Sequence, residues 1–253
     1  MQTPTRPRPR FHSTKPLDAA LVGTAIELDE HAAHHAVRVL RLSRGDAITL
    51  FDGTGGEYAA TLAGITKRSV TAAIDGFDAV ERESPLRIAL VQAVLAADAM
   101  DYAIRKAVEL GAAAIAPVTC ARSQMLLDGE RARKRVAHWQ SIAVAACEQC
   151  GRNRIPAIAP VVSLSTWLGA GATRNERVAI AAPGVKLSLR AFVVEAPPSA
   201  VVIGPEGGFT EDEIAMAVAA GAVAVGMGPR VLRAETAGVA ALAMIAVLAG
   251  DAR

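Results

Sequence analysis

The chain has 253 residues, 52% hydrophobic and 21% charged, with a formal net charge of +2. That length holds one large domain or two modest ones, and that hydrophobicity excludes a disordered chain. Aromatic residues make up only 4%, so the core must be built from Ala, Val, Ile and Leu, and the mild charge means that any nucleic-acid footprint must come from local clusters. The cysteines, Cys120, Cys147 and Cys150, are too few and odd in number for a secreted disulfide scaffold. Residues 1–16 are polar and proline-rich, without the apolar stretch of a signal peptide. The apolar run 237–249 falls short of the ~20 residues a membrane span needs. The expectation is a soluble cytoplasmic protein with no membrane partner.

Arg6, Arg8 and Arg10 alternate with Pro7 and Pro9, which favours an extended segment. Taken alone it reads as a solvated tail, with a phosphate-contacting arm as the alternative. Residues 20–80 predict a small β-rich unit, with strands over 47–51, 57–63 and 69–75 and a glycine-rich turn over 52–56. Asp29 caps a short helix whose buried face is expected to carry Ala33, Val37 and Leu40. His31, His34 and His35 share one side of it and are expected at the surface rather than on a metal. The charged stretch from Glu81 to Pro85 reads as a linker, placing domains at 1–80 and 84–253.

Beyond Pro85 strands and helices alternate, which predicts a mainly parallel α/β sheet. Strands are expected over 86–95, 113–118, 178–182, 200–203 and 222–227. Helices are expected over 98–110, 130–149 and 235–249, with a further one opened by the capping box of Thr210 and Glu213 and ending at Gly221.

Three loops carry the candidate chemistry. Ile203, Gly204, Pro205, Glu206, Gly207, Gly208 and Phe209 join a buried strand to a capped helix, the place where parallel sheets bind ligands. The loop is neither a P-loop nor a Rossmann fingerprint, since Gly-Lys-Ser/Thr and G-x-G-x-x-G are both missing. A second turn, from Met227 and Gly228 through Arg230, Leu232 and Arg233 to Glu235 and Thr236, has the same placement. Its polar residues suit a ligand or simply a helix start. The third is Cys147-Glu148-Gln149-Cys150-Gly151-Arg152-Asn153-Arg154. No second ligand pair completes a zinc site, so the cysteines are expected reduced and packed. Gly151 is expected to end the helix and leave Arg152 and Arg154 exposed for phosphate.

In order along the chain, Ile203 to Phe209 followed by Gly228 to Ala237 resembles the paired cofactor loops of SPOUT-class RNA methyltransferases. Met100-Asp101, the run from Lys106 to Gly111, Glu148-Gln149 and Gly151-Arg152 narrow the resemblance to the RsmE family, and Arg8 to Phe11 and Val39-Leu40-Arg41 are similar to its N-terminal RNA-binding domain. The resemblance implies an α/β fold, a trefoil-knotted mainly parallel sheet preceded by a PUA-like β-barrel. It implies a homodimer that uses S-adenosyl-L-methionine, and no metal, to methylate N3 of a uridine in 16S ribosomal RNA of the small ribosomal subunit. Ile203, Gly204, Pro205, Glu206, Gly207, Gly208, Met227, Gly228, Leu232, Glu235 and Thr236 are then the expected cofactor residues. Arg152 and Arg233 are expected to polarise the uracil, with Glu148 or Glu206 as base. Arg6, Arg8, Arg10, Arg122, Arg131, Arg133, Lys134, Arg135 and Arg154 become expected RNA contacts. The chain departs from the family pattern at Ala96, Ala97 and Ala99, where lysines are usual, and at Cys120-Ala121, Cys150 and Ala234. A SPOUT enzyme acting on another base or a ribose 2′-hydroxyl, or a non-catalytic assembly factor, are the alternatives.

Overall fold

The computed structural model describes residues 8–125, 127–170 and 176–251; the expected contact Arg6 lies outside them. The N-terminal strands are β1 (Arg10–His12), β2 (Ala25–Glu27), β3 (Ala47–Phe51), β4 (Glu57–Ile65) and β5 (Val70–Asp78), with helix α1 (Glu30–His34) between β2 and β3. They form one sheet in the order β1-β3-β4-β5-β2, antiparallel except for β1 against β3. Alternation sets which face is buried: Tyr58, Ala60 and Leu62 of β4 and Val70, Ala72 and Ile74 of β5 turn into one core with Phe11, Ile48 and Leu50.

The carboxylate of Asp29 accepts the Ala32 N–H at 2.9 Å and caps α1 as expected. The helix then widens into a π turn over His35–Val39, in which the Leu40 N–H donates to the His35 carbonyl at 2.9 Å. The residues after the wider turn no longer follow the buried face of the helix. Ala32 and Ala36 are fully buried, Ala33 and Val37 only partly, and Leu40, expected inside, is 43% exposed. His31 and His34 are exposed, whereas His35 packs edge-on against Phe11.

Residues 147–155 fold with residues 8–83 as one compact unit, where the sequence suggested a contiguous boundary. The reason is charge pairing. The apparent linker supplies the counter-ions: Glu83 binds Arg152 at 2.5 Å and Glu81 pairs with Arg154 at 3.3 Å. Arg82 and Arg10 both grip Glu57, at 2.8 and 2.5 Å. Fully buried Asn153 donates to the Val80 carbonyl at 2.8 Å and accepts from Arg10 at 2.5 Å, and Glu148 accepts the His12 N–H at 2.9 Å.

Two expectations are corrected by this network. Arg10 is not a free phosphate arm but part of strand β1, its guanidinium consumed by Glu57 and Asn153. Arg152 is not exposed on a loop; it is 4% exposed and locked to Glu83.

The second unit, residues 84–146 and 156–253, carries in chain order β6 (Ala89–Ala93), α2 (Ala97–Glu109), β7 (Ala114–Thr119) and the first turns of α3 (Gly129–Cys150). Then come β8 (Ala157–Ile158), β9 (Val162–Ser163), α4 (Leu164–Gly169), β10 (Val178–Ala181) and α5 (Leu189–Glu195). β11 (Ala200–Ile203), α6 (Glu211–Ala219), β12 (Val223–Val225) and α7 (Ala234–Leu248) complete it. Every pairing is parallel, in the order β12-β10-β11-β6-β7-β8, with β9 also on β7. The central strands are apolar on both faces, as helix-covered parallel strands must be. The apolar α7 packs on α2, α5, β6 and β11. No helix among the described residues is long and apolar enough to cross a membrane.

Glu57 is partly buried, which opposes its charge, yet hydrogen bonds from Arg82 and Arg10 hold its pKa at about 2 against the ordinary 4.5. A depressed carboxylate adds stability above the unfolded pKa and loses it as pH falls from there through the folded value. Glu57→Gln is therefore expected to flatten the fall in stability below pH 4.5, as followed by urea unfolding at stepped pH. Arg152→Ala removes a buried guanidinium from its ion pair, leaves the half-buried Glu83 without it, and is expected to cost about 1–3 kcal/mol in the same assay. Adding Glu83→Gln to that variant should restore part of the loss.

Candidate active site

Because all strands of the second sheet run parallel, the C-terminal ends of β10, β11 and β12 emerge side by side. Register places Ala179 of β10 beside Val201 of β11 on one side and Val223 of β12 on the other. Three loops leave these ends and line one cavity of about 620 Å³. From β10 come Ala181, Ala182 and Pro183; from β11 the run Ile203 to Phe209; from β12 Met227, Gly228 and the residues Arg230 to Glu235, with Ala237 behind.

The β11 loop is built to present backbone. The Gly208 N–H closes a turn on the Pro205 carbonyl at 2.9 Å, and Gly208 holds a φ of +68°, which side chains disfavour. A Cβ on Gly207 would stand 3.0 Å from the Cβ of Arg122. The arginine lies across this loop, donating to the Gly207 and Phe209 carbonyls at 3.1 and 3.4 Å. Its own segment is held by α6. Buried Glu213 caps that helix by accepting the Thr210 N–H at 2.8 Å, while its other oxygen accepts the Ala121 N–H at 2.7 Å. Glu206 does similar work on the other side, accepting the Ala96 N–H at 3.1 Å. At the β12 loop, α7 starts at Ala234 with no side chain capping it, so its free N–H groups stand at residues that line the cavity.

The expected cofactor residues all line this cavity except Thr236. Thr236, the third residue of α7, is exposed and does not line the cavity. Arg233 lines the cavity and is exposed, without a hydrogen-bond or ion-pair partner among the described residues. Arg122, expected on RNA, is instead a wall of the cavity. Glu148 and Arg152 fold with the first unit, their side chains committed there. Ala181 to Pro183 and Ile214 carried no signal in the sequence; a strand end becomes a wall only through its neighbours in the sheet.

Cys147 lies at the end of α3 with its thiol pushed up by burial to about 12, and burial does the same to Cys120. Such thiols are poor nucleophiles and ligands. Among the described residues no group of three His, Cys, Asp or Glu is placed to hold a metal.

The family model described as "RNA methyltransferase domain" matches residues 82–246, and "RNA methyltransferase PUA domain" matches residues 28–75. The chain belongs to the RNA methyltransferase family. Among curated relatives of this methyltransferase, the Ribosomal RNA small subunit methyltransferase E of Bacillus subtilis is 32% identical over 229 residues, covering 86% of this chain and 90% of that one. The protein of the same name from Mycobacterium bovis is 32% identical, covering 89% and 87%. The Ribosomal RNA small subunit methyltransferase E of Neisseria gonorrhoeae, solved bound to S-adenosyl methionine, superposes with a TM-score of 0.89. It is 38% identical and covers 96% of this methyltransferase and 99% of that chain.

Glu213→Ala removes the partner of two backbone N–H groups and is expected to cost this methyltransferase about 1–3 kcal/mol. Chemical denaturation checks it. Thiol titration of the native protein should modify Cys150 alone, with Cys120 and Cys147 reacting only on unfolding.

Proposed function

We propose that the chain transfers a methyl group from S-adenosylmethionine to N3 of a uridine in small-subunit ribosomal RNA, acting in the cytoplasm as a homodimer. The observation that carries the reading is the single cavity walled by three adjacent strand ends. Its 620 Å³ suits a nucleoside-sized ligand, since such sites span ~300–1,000 Å³. The residues fit the cofactor: Ile203, Leu232 and Ala237 offer apolar walls for a base, and the backbone of residues 204–208 and 227–232 offers close polar contacts.

When bound, S-adenosylmethionine supplies an electrophilic methyl group. The protein's part is to bind and orient the acceptor, exclude water and manage one proton. Uracil N3 lies on the Watson–Crick edge and carries that proton, so the base must be unpaired to enter. Its loss leaves negative charge on the uracil oxygens, which the unpaired guanidinium of Arg233 stabilises. Of the two expected bases, Glu206 is the one at the cavity, and we assign the proton to it. RNA phosphates are met by Arg8 and by Arg131, Arg133, Lys134 and Arg135 on the first turns of α3; Arg131, Lys134 and Arg135 border an open cleft with Gln124 and Leu127. The homodimer reading is supported by the apolar α7 and by exposed Val194, Val231 and Val247.

Calorimetry is expected to show S-adenosylmethionine binding to the wild type, weakened by at least about tenfold (~1.4 kcal/mol) in Gly207→Val. Mass mapping of ribosomal RNA from cells with and without the gene should show one methyl missing from a uracil ring. A methyl missing from a ribose, or none missing, overturns the reading.

A further inference from the structure

One side chain breaks the apolar pattern inside the second unit. Gln92, near the end of β6, is fully buried, and among the described residues it is the only buried polar side chain in any strand of that sheet. Its carboxamide is poorly satisfied. The Nε2 donates to the Ala93 carbonyl at 3.3 Å, while the Oε1 is buried with no N–H or O–H donor among the described residues. Burying an acceptor without a partner is unfavourable, so stability alone would favour an apolar residue here.

The place of this oxygen is specific. Register puts Gln92 beside Ile203, the last residue of β11 and a wall of the cavity. Alternation turns Gln92 and Leu90 to the same face, and both meet α7 at buried Gly238. A Cβ on Gly238 would stand 3.0 Å from the Gln92 Oε1 and 3.4 Å from the Leu90 Cδ1. The hydrogen that glycine carries in that position is a weak donor to the oxygen. The contact lies under the turn that faces the cavity. The Ala237 N–H donates to the Arg233 carbonyl at 2.8 Å, and Arg233, Ala234, Glu235 and Ala237 all line the cavity. A glycine inside a helix and a polar group inside a sheet are each unfavourable alone, and here they face one another behind the cofactor walls.

We propose that Gln92 is a positioning residue for methyl transfer: with Gly238 it seats the first turns of α7 at a fixed depth on the sheet, and so sets where Arg233, Glu235 and Ala237 stand around the cofactor. This rests on the reading of the cavity as the S-adenosylmethionine site and of Arg233 as the group that faces the acceptor. An apolar side chain would pack against α7 without fixing its depth. A shift of about 1 Å at such a turn can cost up to about 100-fold in rate, because it moves Arg233 relative to the methyl donor.

The test uses the full chain. Gln92→Met keeps the shape and removes the polar group, so its urea midpoint should match or exceed that of the wild type. Its S-adenosylmethionine affinity by calorimetry should nevertheless fall, and kcat on small ribosomal subunits from a strain lacking the gene should fall at least about tenfold at saturating cofactor. A side chain that only filled the core would change these in step with the midpoint or not at all. Gly238→Ala probes the contact from the other side: it raises helix propensity, yet should weaken cofactor binding without lowering the midpoint. In Gln92→Ala/Gly238→Ala the added methyl has room, so the loss of affinity should be smaller than the product of the two single losses. If Gln92→Met does not fold, Gly238→Ala and this pair carry the test. Wild-type affinity and kcat in folded Gln92→Met, or independent losses in the pair, overturn the proposal. A wild type that binds S-adenosylmethionine but leaves uracil unmethylated would instead defeat the proposed acceptor, and the affinities would still decide the role of Gln92.

Discussion

The hydrogen-bonded register of β10 between β11 and β12 is the constraint on which the site depends. Parallel pairing sends all three chains out of the sheet at the same edge, so loops separated by twenty or more residues in sequence become walls of one cavity. Nothing in any one loop encloses a ligand. What each contributes is locally simple: a strand end at Ala181, a glycine-rich turn after Ile203, and an uncapped helix start at Ala234. Backbone groups at helix starts and tight turns suit polar ligands because they arrive already oriented and need no ordering on binding.

The walls are held by carboxylates that bind the backbone of distant segments. Glu213 and Glu206 each accept a backbone N–H from a distant segment, Ala121 and Ala96. Arg122 reaches the cavity because Glu213 fixes the turn beside it, and its hydrogen bonds to the Gly207 and Phe209 carbonyls in turn hold the β11 loop. Such a chain of contacts lets a glycine-rich loop be accessible and still ordered, which a ligand site requires. The first unit uses charge differently. There the acids and arginines of distant segments cancel one another, tying residues 147–155 to the sheet of residues 8–83. Removing Glu83 would leave the buried Arg152 guanidinium uncompensated, whereas the Arg154–Glu81 pair is exposed to solvent.

Helix α1 shows how a single extra residue in a turn redirects a surface. Ala32 and Ala36 are buried four residues apart, as regular helix geometry allows; after the π turn Val39 and Leu40 lie outside the core. The sequence carries no local mark of such a turn, since hydrophobic periodicity assumes a constant residue count per turn. The histidines follow the same logic: His35 turns in against Phe11 while His31 and His34 remain in solvent.

The sequence by itself determined the α/β class, the placement of most strands and helices, the capping box at Thr210 and the glycine-rich loops after β11 and β12. These are readable because each depends on residues within one turn or one strand of each other: alternation, caps and conformations that glycine tolerates best. Only the tertiary structure decided that Ala181 to Pro183 complete the cavity, that Arg122 is one of its walls, and that Arg10 and Arg152 are neutralised by glutamates. A charged side chain in a sequence has no stated partner, and an arginine meant for phosphate looks the same as one meant for a buried carboxylate. Which it becomes is set by the segments that the sheet register brings opposite it, and that register is a property of pairing between distant strands.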